Sequence, residues 1–382
     1  MKILFLTQSN KKYGIESVMK TLIENINSED YKIDISYIEK CKDDGMILDS
    51  DIKQYFLDRN YKSIFGIIEI VLKLKKIIKN NNYDLIYSAG TYCNIINCIL
   101  SKICNKKHII SEHNLMSISI KSEGKYKIME FLVRKFYKNS DKIVVVSNDI
   151  AKDLNLNYNI SLKKVKTLGN PIEIEEVINK SEHKCEIEEK IKLLKKDGNI
   201  VLCNIANFKK AKNHIELVKS VKFLRNQGEK IKLILIGDGG LQSEIKEYVK
   251  DNELDEDILF IGYTNNPYSI LRLCDAFILP SLWEGFGLVL IEAMGLGIPC
   301  ITTNHSGSKY FINNYENGLI CGTGFKEIAE KVNEFINLKD DKKSEIILKG
   351  YETSKNFDAK NISIQYIDLF EETCNKNKEI IS

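Results

Sequence analysis

The sequence lacks a long apolar run. No stretch approaches the roughly 18 consecutive apolar residues that a membrane-spanning helix requires. The opening MKILFLTQ has an apolar run too short for a signal peptide, and it is typical of a first β-strand. We therefore expect a cytoplasmic protein whose membrane contact is at most peripheral, at the inner face of the cell membrane.

Residues arranged for metal binding are also scarce. The 5 histidines do not cluster at ligand spacing, and no strand candidate ends in Asp-x-Asp. The 10 cysteines show neither paired metal spacing nor closely spaced bridges, so we expect reduced thiols. A G-x-S-x-G elbow and a G-x-x-x-x-G-K-[ST] loop are absent as well. We therefore expect no metal and no cofactor.

Charge is distributed unequally along the chain. The formal net charge is +3, but residues 1–180 carry 29 basic and 22 acidic side chains, against 27 and 31 in residues 181–382. The basic first half could contact anionic lipid, a phosphorylated acceptor or nucleic acid. Nucleic acid is disfavoured, because lysines such as Lys73, Lys76 and Lys79 are dispersed without arginine–aromatic clusters. An ordinary solvated surface remains the alternative.

Short apolar runs alternate with helix-like segments along the whole chain. This alternation predicts an α/β protein, with enough strand candidates for two doubly wound parallel sheets. The candidates are residues 3–6, 33–38, 85–88, 108–111 and 143–147 in the first half, and 201–205, 233–236, 259–261, 276–279 and 300–302 in the second.

A Gly169-Asn170-Pro171 turn marks the predicted domain boundary. We expect one Rossmann-like domain over residues 1–170 and a second over residues 171–360, with a cleft between them. The final segment, 361–382, either stays on the second domain or crosses back to the first. Because ligands of open α/β sheets bind at the carboxyl ends of strands, the residues that follow strands are the functional candidates.

The segment Pro280 to Pro299, PSLWEGFGLVLIEAMGLGIP, is the most informative part of the chain. A buried-looking strand runs into a glycine-rich turn, and the turn opens an apolar helix from about residue 288 to residue 294. Free N–H groups at such a helix start are suited to a phosphate or diphosphate.

Two glutamates, Glu284 and Glu292, lie on either side of this turn. If the chain between them were wholly helical, their Cα atoms would lie roughly 12 Å apart. That distance exceeds the roughly 5 to 9.5 Å between the carboxyl groups of glycosidase pairs. The spacing favours two carboxylates that bind different hydroxyls of one elongated ligand. The alternative is a turn-capping Glu284 and an incidental Glu292.

Other predicted strand ends carry glycine or polar residues. Gly14, in KYGIE, could let backbone amides reach a phosphate, although an ordinary strand-to-helix turn fits equally. His113, in SEHN, could bond a sugar hydroxyl or move a proton, the alternative being a structural histidine. Lys212, with Lys209 and Lys210, suits either a diphosphate or a solvated turn.

Together these residues resemble the large retaining glycosyltransferase family 4 (glycosyl transferases group 1), which has the GT-B fold of two facing Rossmann-like domains. The resemblance is strongest from Asn199 to Gly318, through LIGDGG, FIGY, DAFILPS, EGFGLVLIEAMGLGIP and NGLI. The pattern from Glu284 to Glu292 is highly specific in that order and context. The first half matches more weakly, through the Gly14 turn, SEHN, VSNDIAKDL and GNPIE.

The resemblance implies roles for individual residues. Glu292 would bind the ribose of a nucleotide, Glu284 the donor sugar and Lys212 the diphosphate, with His113 near the transferred sugar. The implied donor-binding residues are Gly14, Asn207, Lys212, Gly262, Tyr263, Glu284, Gly285, Phe286, Gly287, Leu288 and Glu292, and the implied catalytic residues are His113, Glu284 and Lys212.

Three positions depart from the family pattern. Asn207 stands where an arginine is common, so one diphosphate cation is missing or is supplied by Lys209 or Lys210. Tyr13 replaces a paired glycine in the first loop. The segment 306–310, SGSKY, lacks a glutamate that is common there. These departures affect the donor sugar more than the reaction type.

The implied function is sugar transfer from a nucleotide sugar, UDP-linked, to a glycan or a lipid-diphosphate-linked acceptor in capsular, exopolysaccharide or other cell-surface glycan synthesis. The implied mechanism is front-face transfer, in which Lys212 and the helix start near Gly287 stabilise the leaving diphosphate, which helps to accept the proton of the attacking hydroxyl without a metal. The alternatives are a sugar-nucleotide epimerase or hydrolase, and a non-catalytic partner that binds a nucleotide sugar or a companion transferase, for which Asn207 is the only support.

Overall fold

The computed structural model describes residues 1–10, 14–40, 45–58, 64–119 and 126–375. The chain forms two compact units. The first comprises Met1–Pro171 together with the residues from Ala359 onward, and the second comprises Ile172–Asp358. Tyr13 and residues 376–382 lie outside the described ranges.

The first unit is built on a sheet of seven parallel strands. Its order is β3-β2-β1-β4-β5-β6-β7, so the strand order reverses between β1 and β4. The strands are β1 (Lys2–Thr7), β2 (Lys32–Tyr37), β3 (Gln54–Phe56), β4 (Leu85–Ala89), β5 (Lys107–Glu112), β6 (Lys142–Val145) and β7 (Val165–Thr167). The helices that precede the boundary are α1 (Ile15–Ile26), α2 (Ile64–Asn81), α3 (Thr91–Cys104), α4 (Met116–Ser119), α5 (Tyr126–Phe136) and α6 (Asn148–Tyr158).

The second unit has a sheet of six parallel strands in the order β10-β9-β8-β11-β12-β13. Here the order reverses between β8 and β11. The strands are β8 (Ile200–Ile205), β9 (Ile231–Ile236), β10 (Ile258–Gly262), β11 (Ala276–Leu279), β12 (Cys300–Thr303) and β13 (Leu319–Cys321). The helices are α7 (Ile174–Ser181), α8 (Glu188–Lys196), α9 (His214–Asn226), α10 (Gln242–Asp251), α11 (Tyr268–Leu271), α12 (Leu288–Gly295), α13 (Ser308–Phe311), α14 (Phe325–Asn337) and α15 (Asp340–Lys355).

The inner strands are apolar on both faces, as a sheet covered by helices on each side requires. Along β1, Ile3, Leu4, Phe5 and Leu6 are all fully buried. All ten strands predicted from the sequence are confirmed, with ends that differ by at most two residues. The three strands that the sequence did not predict, β3, β7 and β13, have three residues each and lie at sheet edges.

The last helix, α16 (Ala359–Asn375), belongs to the first unit although it follows the second in sequence. It packs against α1 and β5. Its fully buried Phe370 lies with its ring centroid 5.7 Å from that of Tyr87 and 6.3 Å from that of Phe5. Burial of such aromatic side chains gives the helix a large share of its binding energy to the sheet.

We expect Phe370→Ala to destabilise the first unit by about 3–5 kcal/mol, because it leaves a cavity in this aromatic cluster. Ile364→Ala is the matched control, since Ile364 lies on the same helix with 57% of its surface exposed. Urea unfolding followed by far-ultraviolet circular dichroism measures the change. Trp283, the only tryptophan, lies in the second unit, so its fluorescence follows that unit separately. Equal midpoints for both variants would contradict the assigned packing.

Candidate active site

Two loops of the second unit meet at the point where the strand order reverses. One loop follows β8 and the other follows β11. The Leu282 N–H donates to the Ala211 carbonyl over 2.8 Å, which ties the loops together. Beside this bond the Lys212 ammonium forms an ion pair with the Glu284 carboxylate, and both side chains are about one-fifth exposed. The structure therefore brings together the two residues to which the family resemblance assigned the diphosphate and the donor sugar.

Gly287 sets the direction of helix α12. Its φ is +90°, a conformation that favours glycine, and it occupies the position just before the helix begins at Leu288. Helix α12 starts only at Leu288, so half of the sequence between Glu284 and Glu292 lies in the turn. The Cα separation expected for a wholly helical segment therefore does not apply. Glu284 consequently lies before the helix start and Glu292 one helical turn inside it.

A second turn, which follows β12, packs against the turn that carries Glu284. The Gly307 N–H donates to the Glu284 carbonyl over 3.3 Å. A Cβ at Gly307 would lie 1.9 Å from the Phe286 carbonyl oxygen, so only glycine permits this approach. The SGSKY segment, which departs from the family pattern, thus has a structural role in holding the Glu284 turn.

His305, which was not among the residues singled out from the sequence, packs against the turn that carries Glu284. Its Nδ1 accepts from the Ser308 N–H over 3.1 Å, so the proton of the neutral ring sits on Nε2, 3.2 Å from the Thr302 hydroxyl. Burial lowers the pKa of His305 to about 4. The side chain is therefore neutral near pH 7 and buttresses the turn. The position of His305 just after a strand was the sequence feature that could have identified it.

Phe286 contributes its backbone to the turn and its ring to the core. The ring centroid lies 5.3 Å from those of Phe311 and Phe357, and only 3% of the residue is exposed. Of the residues predicted to hold a donor, Phe286 is thus limited to main-chain contacts. The neighbouring Gly285 is buried, and Leu288 is half-buried.

Glu292 forms a second cluster with two residues that the sequence analysis missed. Its carboxylate is hydrogen-bonded to Tyr268 on α11 and is attracted by Lys180 on α7. Burial nevertheless raises the pKa of Glu292 to about 7. The loop before Tyr268 is held to α7 by Asn266, whose side-chain amide donates to the Lys180 carbonyl over 2.8 Å.

The same loop begins at Gly262 and Tyr263, the predicted base-side residues. Gly262 has a φ of +81° and open space on its Cβ side, and Tyr263 is 61% exposed with its hydroxyl bonded to Asn265. Asn207 is exposed on the loop after β8. These residues lie at the carboxyl edge of the same sheet as Lys212, consistent with one extended binding surface.

The glycine turn after β9 allows its backbone to pack closely against the loop that follows β8. A Cβ at Gly237 would lie 2.1 Å from the Ala206 carbonyl oxygen, and one at Gly239 would lie 2.7 Å from Phe208 backbone atoms. The ring of Phe208 stacks on His214 with centroids 4.3 Å apart. This turn therefore fixes the loop that carries Lys212.

In the first unit, His113 follows β5 and is 8% exposed. Its Nε2 lies 3.0 Å from the Ser111 hydroxyl, and burial lowers its pKa to about 4. The adjacent Glu112 is buried and accepts from the Tyr137 hydroxyl over 2.9 Å. Burial raises the pKa of Glu112 to about 7. His113 is thus part of a buried polar network that the sequence analysis did not foresee.

Gly14 precedes α1 with a φ of +80°. The nearest atom to a Cβ placed there would be a Glu16 carboxylate oxygen at 3.7 Å, so backbone conformation rather than space favours glycine. Glu16 accepts from the Ser9 hydroxyl over 3.0 Å.

Two further observations concern the described ranges as a whole. Within them, no group of three or more histidine, cysteine, aspartate or glutamate side chains is placed to hold a metal ion. None of the helices they contain is both long enough and apolar enough to span a bilayer.

Comparison with known proteins gives matches along most of the chain. Residues 186–353 match the family model described as glycosyl transferases group 1, and residues 13–176 match the model for glycosyltransferase family 4. An Escherichia coli UDP-Gal:alpha-D-GlcNAc-diphosphoundecaprenol alpha-1,3-galactosyltransferase is 24% identical over 93% of this chain and 94% of its own length. A Campylobacter jejuni N-acetylgalactosamine-N,N'-diacetylbacillosaminyl-diphospho-undecaprenol 4-alpha-N-acetylgalactosaminyltransferase is 27% identical over 76% of each chain.

Solved structures show the same fold. Anabaena HepE in complex with UDP superimposes with a TM-score of 0.78 at 20% identity, covering 97% of this chain and all of the other. A sucrose-phosphate synthase from Thermosynechococcus elongatus gives a TM-score of 0.81 at 16% identity, covering 97% of this chain and 99% of the other. With both family models matched and two parallel-sheet units of the GT-B type, the chain belongs to glycosyltransferase family 4 (glycosyl transferases group 1) and is a glycosyltransferase.

Proposed function

We propose that the protein transfers a sugar from a UDP-sugar to a lipid-diphosphate-linked glycan acceptor in the synthesis of a cell-surface polysaccharide. The E. coli and C. jejuni relatives are named for diphosphoundecaprenol-linked acceptors, and the first is named for a UDP-linked donor. Those names support this choice of donor and acceptor.

The observation that carries the proposal is the meeting of Lys212 and Glu284 at the start of helix α12, with Glu292 one turn further along. A cation beside a helix N-terminus suits a diphosphate, because backbone N–H groups and the ammonium both favour negative charge. The two carboxylates then accept hydrogen bonds from hydroxyls on either side of that diphosphate.

In the proposed donor complex, Lys212 exchanges its present partner for the diphosphate. Glu284, released from the ion pair, accepts hydrogen bonds from sugar hydroxyls. Glu292 accepts from the ribose hydroxyls, with Gly262 and Tyr263 near the base. His113 is assigned to the transferred sugar because it matches the family's histidine.

The proposed reaction is front-face transfer with retention. The bond between the anomeric carbon and the diphosphate oxygen breaks as the acceptor oxygen bonds to that carbon, and the acceptor proton passes to the departing diphosphate. Lys212 and the N–H groups of the first turn of α12 stabilise the charge that develops on the leaving group.

We further propose peripheral contact with an anionic membrane through helices α2 and α5, which both pack against α3. On α2, Phe65, Ile68 and Leu72 are 82%, 50% and 60% exposed, and lysines follow on the same face. On α5, Ile128 and Phe131 are 59% and 60% exposed. Apolar side chains beside lysines suit a surface of anionic lipid, where the acceptor would reside.

We expect Glu292→Gln to weaken UDP binding about 10- to 100-fold, because hydrogen bonds to a charged group contribute roughly 1.5–3 kcal/mol. Binding to the native protein should also weaken as the pH falls through about 7, where the raised pKa of Glu292 lets the carboxylate take up a proton. The glutamine variant should lack that component. Isothermal titration calorimetry with UDP measures both effects, and Glu330→Gln, an exposed glutamate of α14, is the control. Equal affinities for Glu292→Gln and wild type would refute the ribose assignment.

We expect Lys212→Met to lower kcat roughly 100- to 1,000-fold, as removal of a preorganised charge from a leaving-group site does. Initial rates of sugar transfer from a panel of UDP-sugars to a bacterial lipid extract give the comparison, with the exposed Lys326→Met as control.

Loss of Lys212 also leaves the Glu284 carboxylate unpaired. The double variant Lys212→Met/Glu284→Gln separates the two effects. Recovery of turnover in the double variant would show that Lys212 acts only by neutralising Glu284, which the proposed mechanism rules out.

For the membrane contact, we expect Phe65→Ser/Leu72→Ser to bind vesicles containing phosphatidylglycerol at least about 100-fold more weakly, because burying each of the two side chains contributes roughly 1.5–3 kcal/mol. Flotation of the full chain with such vesicles, and with phosphatidylcholine alone, measures this. Leu348→Ser removes a leucine of the second unit that is 58% exposed and serves as the control. Equal loss in all variants, or equal binding to neutral vesicles, would argue against the assigned surface.

A further inference from the structure

Four aromatic side chains pack together at the turn that carries Glu284. Phe286 belongs to the turn itself, Tyr310 and Phe311 belong to α13, and Phe357 follows α15. The Phe357 ring meets the Phe286 ring edge to face, with centroids 5.3 Å apart. Its centroid also lies 5.6 Å from that of Phe311 and 6.1 Å from that of Tyr310. Phe357 thus contacts each of the other three rings.

The backbone of Phe357 is fixed by bonds that do not involve the turn. Its N–H donates to the Ser354 carbonyl near the end of α15 over 2.9 Å, and its carbonyl accepts from the Ile172 N–H over 2.9 Å. Ile172 is the first residue of the second unit, and Asp358, which follows Phe357, is the last. Phe357 therefore lies where the chain enters and leaves the second unit. We call residues 172–174 and 354–358 the crossing segments.

The crossing segments also contact the far end of α12. A Cβ at Gly295, the last residue of that helix, would lie 3.1 Å from Ile174 Cδ1 and 3.6 Å from Ser354 Oγ. Helix α12 is thus supported directly at its C-terminal end. Just before its N-terminal end, the support comes through the aromatic cluster.

The ring of Phe286 anchors the backbone at the start of α12. Phe286 is only 3% exposed, and it is followed directly by Gly287 and by Leu288, the first residue of the helix. Gly287 has no side chain with which to pack, and glycine has wide conformational freedom. A close-packed ring beside it limits that freedom. A side chain that fixes the Phe286 ring therefore also fixes the N–H groups at the helix start.

We propose that Phe357 is a positioning residue, which acts through the ring of Phe286 to hold the N–H groups at the start of α12 where they bind the donor diphosphate. The role in diphosphate binding rests on the proposed function, whereas the support of the turn does not. A turn that is already ordered loses less conformational freedom when a ligand binds. Truncation of Phe357 therefore weakens binding without removing a group that touches the ligand.

Hydrogen exchange of the ligand-free full chain, followed by mass spectrometry, tests the support of the turn. In Phe357→Leu we expect peptides that cover residues 283–290 and 305–308 to exchange roughly two- to tenfold faster, the change that loss of one aromatic pair produces. Two backbone bonds report the opening. The Leu290 N–H donates to the Gly287 carbonyl, and the Gly307 N–H donates to the Glu284 carbonyl.

Phe335→Leu is the matched control. Phe335 is 5% exposed and lies on α14, which packs against α9 in the same unit. We expect this variant to lower the stability of the unit and to leave the exchange of the turn peptides unchanged. Equal exchange in wild type and Phe357→Leu, or equal acceleration in Phe335→Leu, would overturn the proposal.

Isothermal titration calorimetry with UDP gives a separate readout. We expect Phe357→Leu to weaken UDP binding roughly two- to tenfold, and Phe335→Leu to leave it unchanged. Because Phe357 acts through Phe286, the double variant Phe286→Leu/Phe357→Leu should bind UDP about as weakly as Phe286→Leu alone. Fully additive losses, or unchanged affinity in Phe357→Leu, would overturn the positioning role. Failure of the wild type to bind UDP, with hydrogen exchange as expected, would count against the proposed function and uphold the support of the turn.

Discussion

The close approach of backbone loops at the carboxyl edge of the second sheet is the constraint on which the candidate site depends. Glycines at positions 237, 239 and 307 allow these loops to touch, since a Cβ at any of them would overlap a neighbouring main-chain atom. The loop with Lys212 and the turn with Glu284 are thereby held side by side, and their ion pair joins the two. The proposed chemistry depends on this geometry, because Lys212 pairs with Glu284 just before a helix N-terminus, the kind of place where a diphosphate could bind.

Most of the fold could be predicted from the sequence, because buried parallel strands are continuous apolar runs. The edge strands β3, β7 and β13 could not, since three residues carry too little pattern. The sequence also left open which unit α16 would pack against. That packing is determined by Phe370 and Tyr366, whose partners on β1 and β4 are more than 270 residues away in sequence.

The position of the candidate site could be proposed from the sequence where a turn has a distinctive composition, as at Glu284 and Gly287. Residues that act through long-range contacts were missed. Tyr268 and Lys180 reach Glu292 from separate helices, and His305 supports the Glu284 turn from the turn after β12. Residue spacing within one segment cannot predict contacts between residues that are far apart in sequence. The same holds for the buried network around Glu112 and His113, which the Tyr137 hydroxyl joins from just beyond helix α5.

A crystal structure of the protein grown with UDP would show whether Lys212, Glu284 and Glu292 form a nucleotide-sugar site. We expect diphosphate oxygens within hydrogen-bond distance of Lys212 Nζ and of N–H groups in the first turn of α12, with ribose hydroxyls on the Glu292 carboxylate. UDP bound elsewhere, or a diphosphate placed away from Lys212 while Glu284 keeps its ion pair, would contradict it.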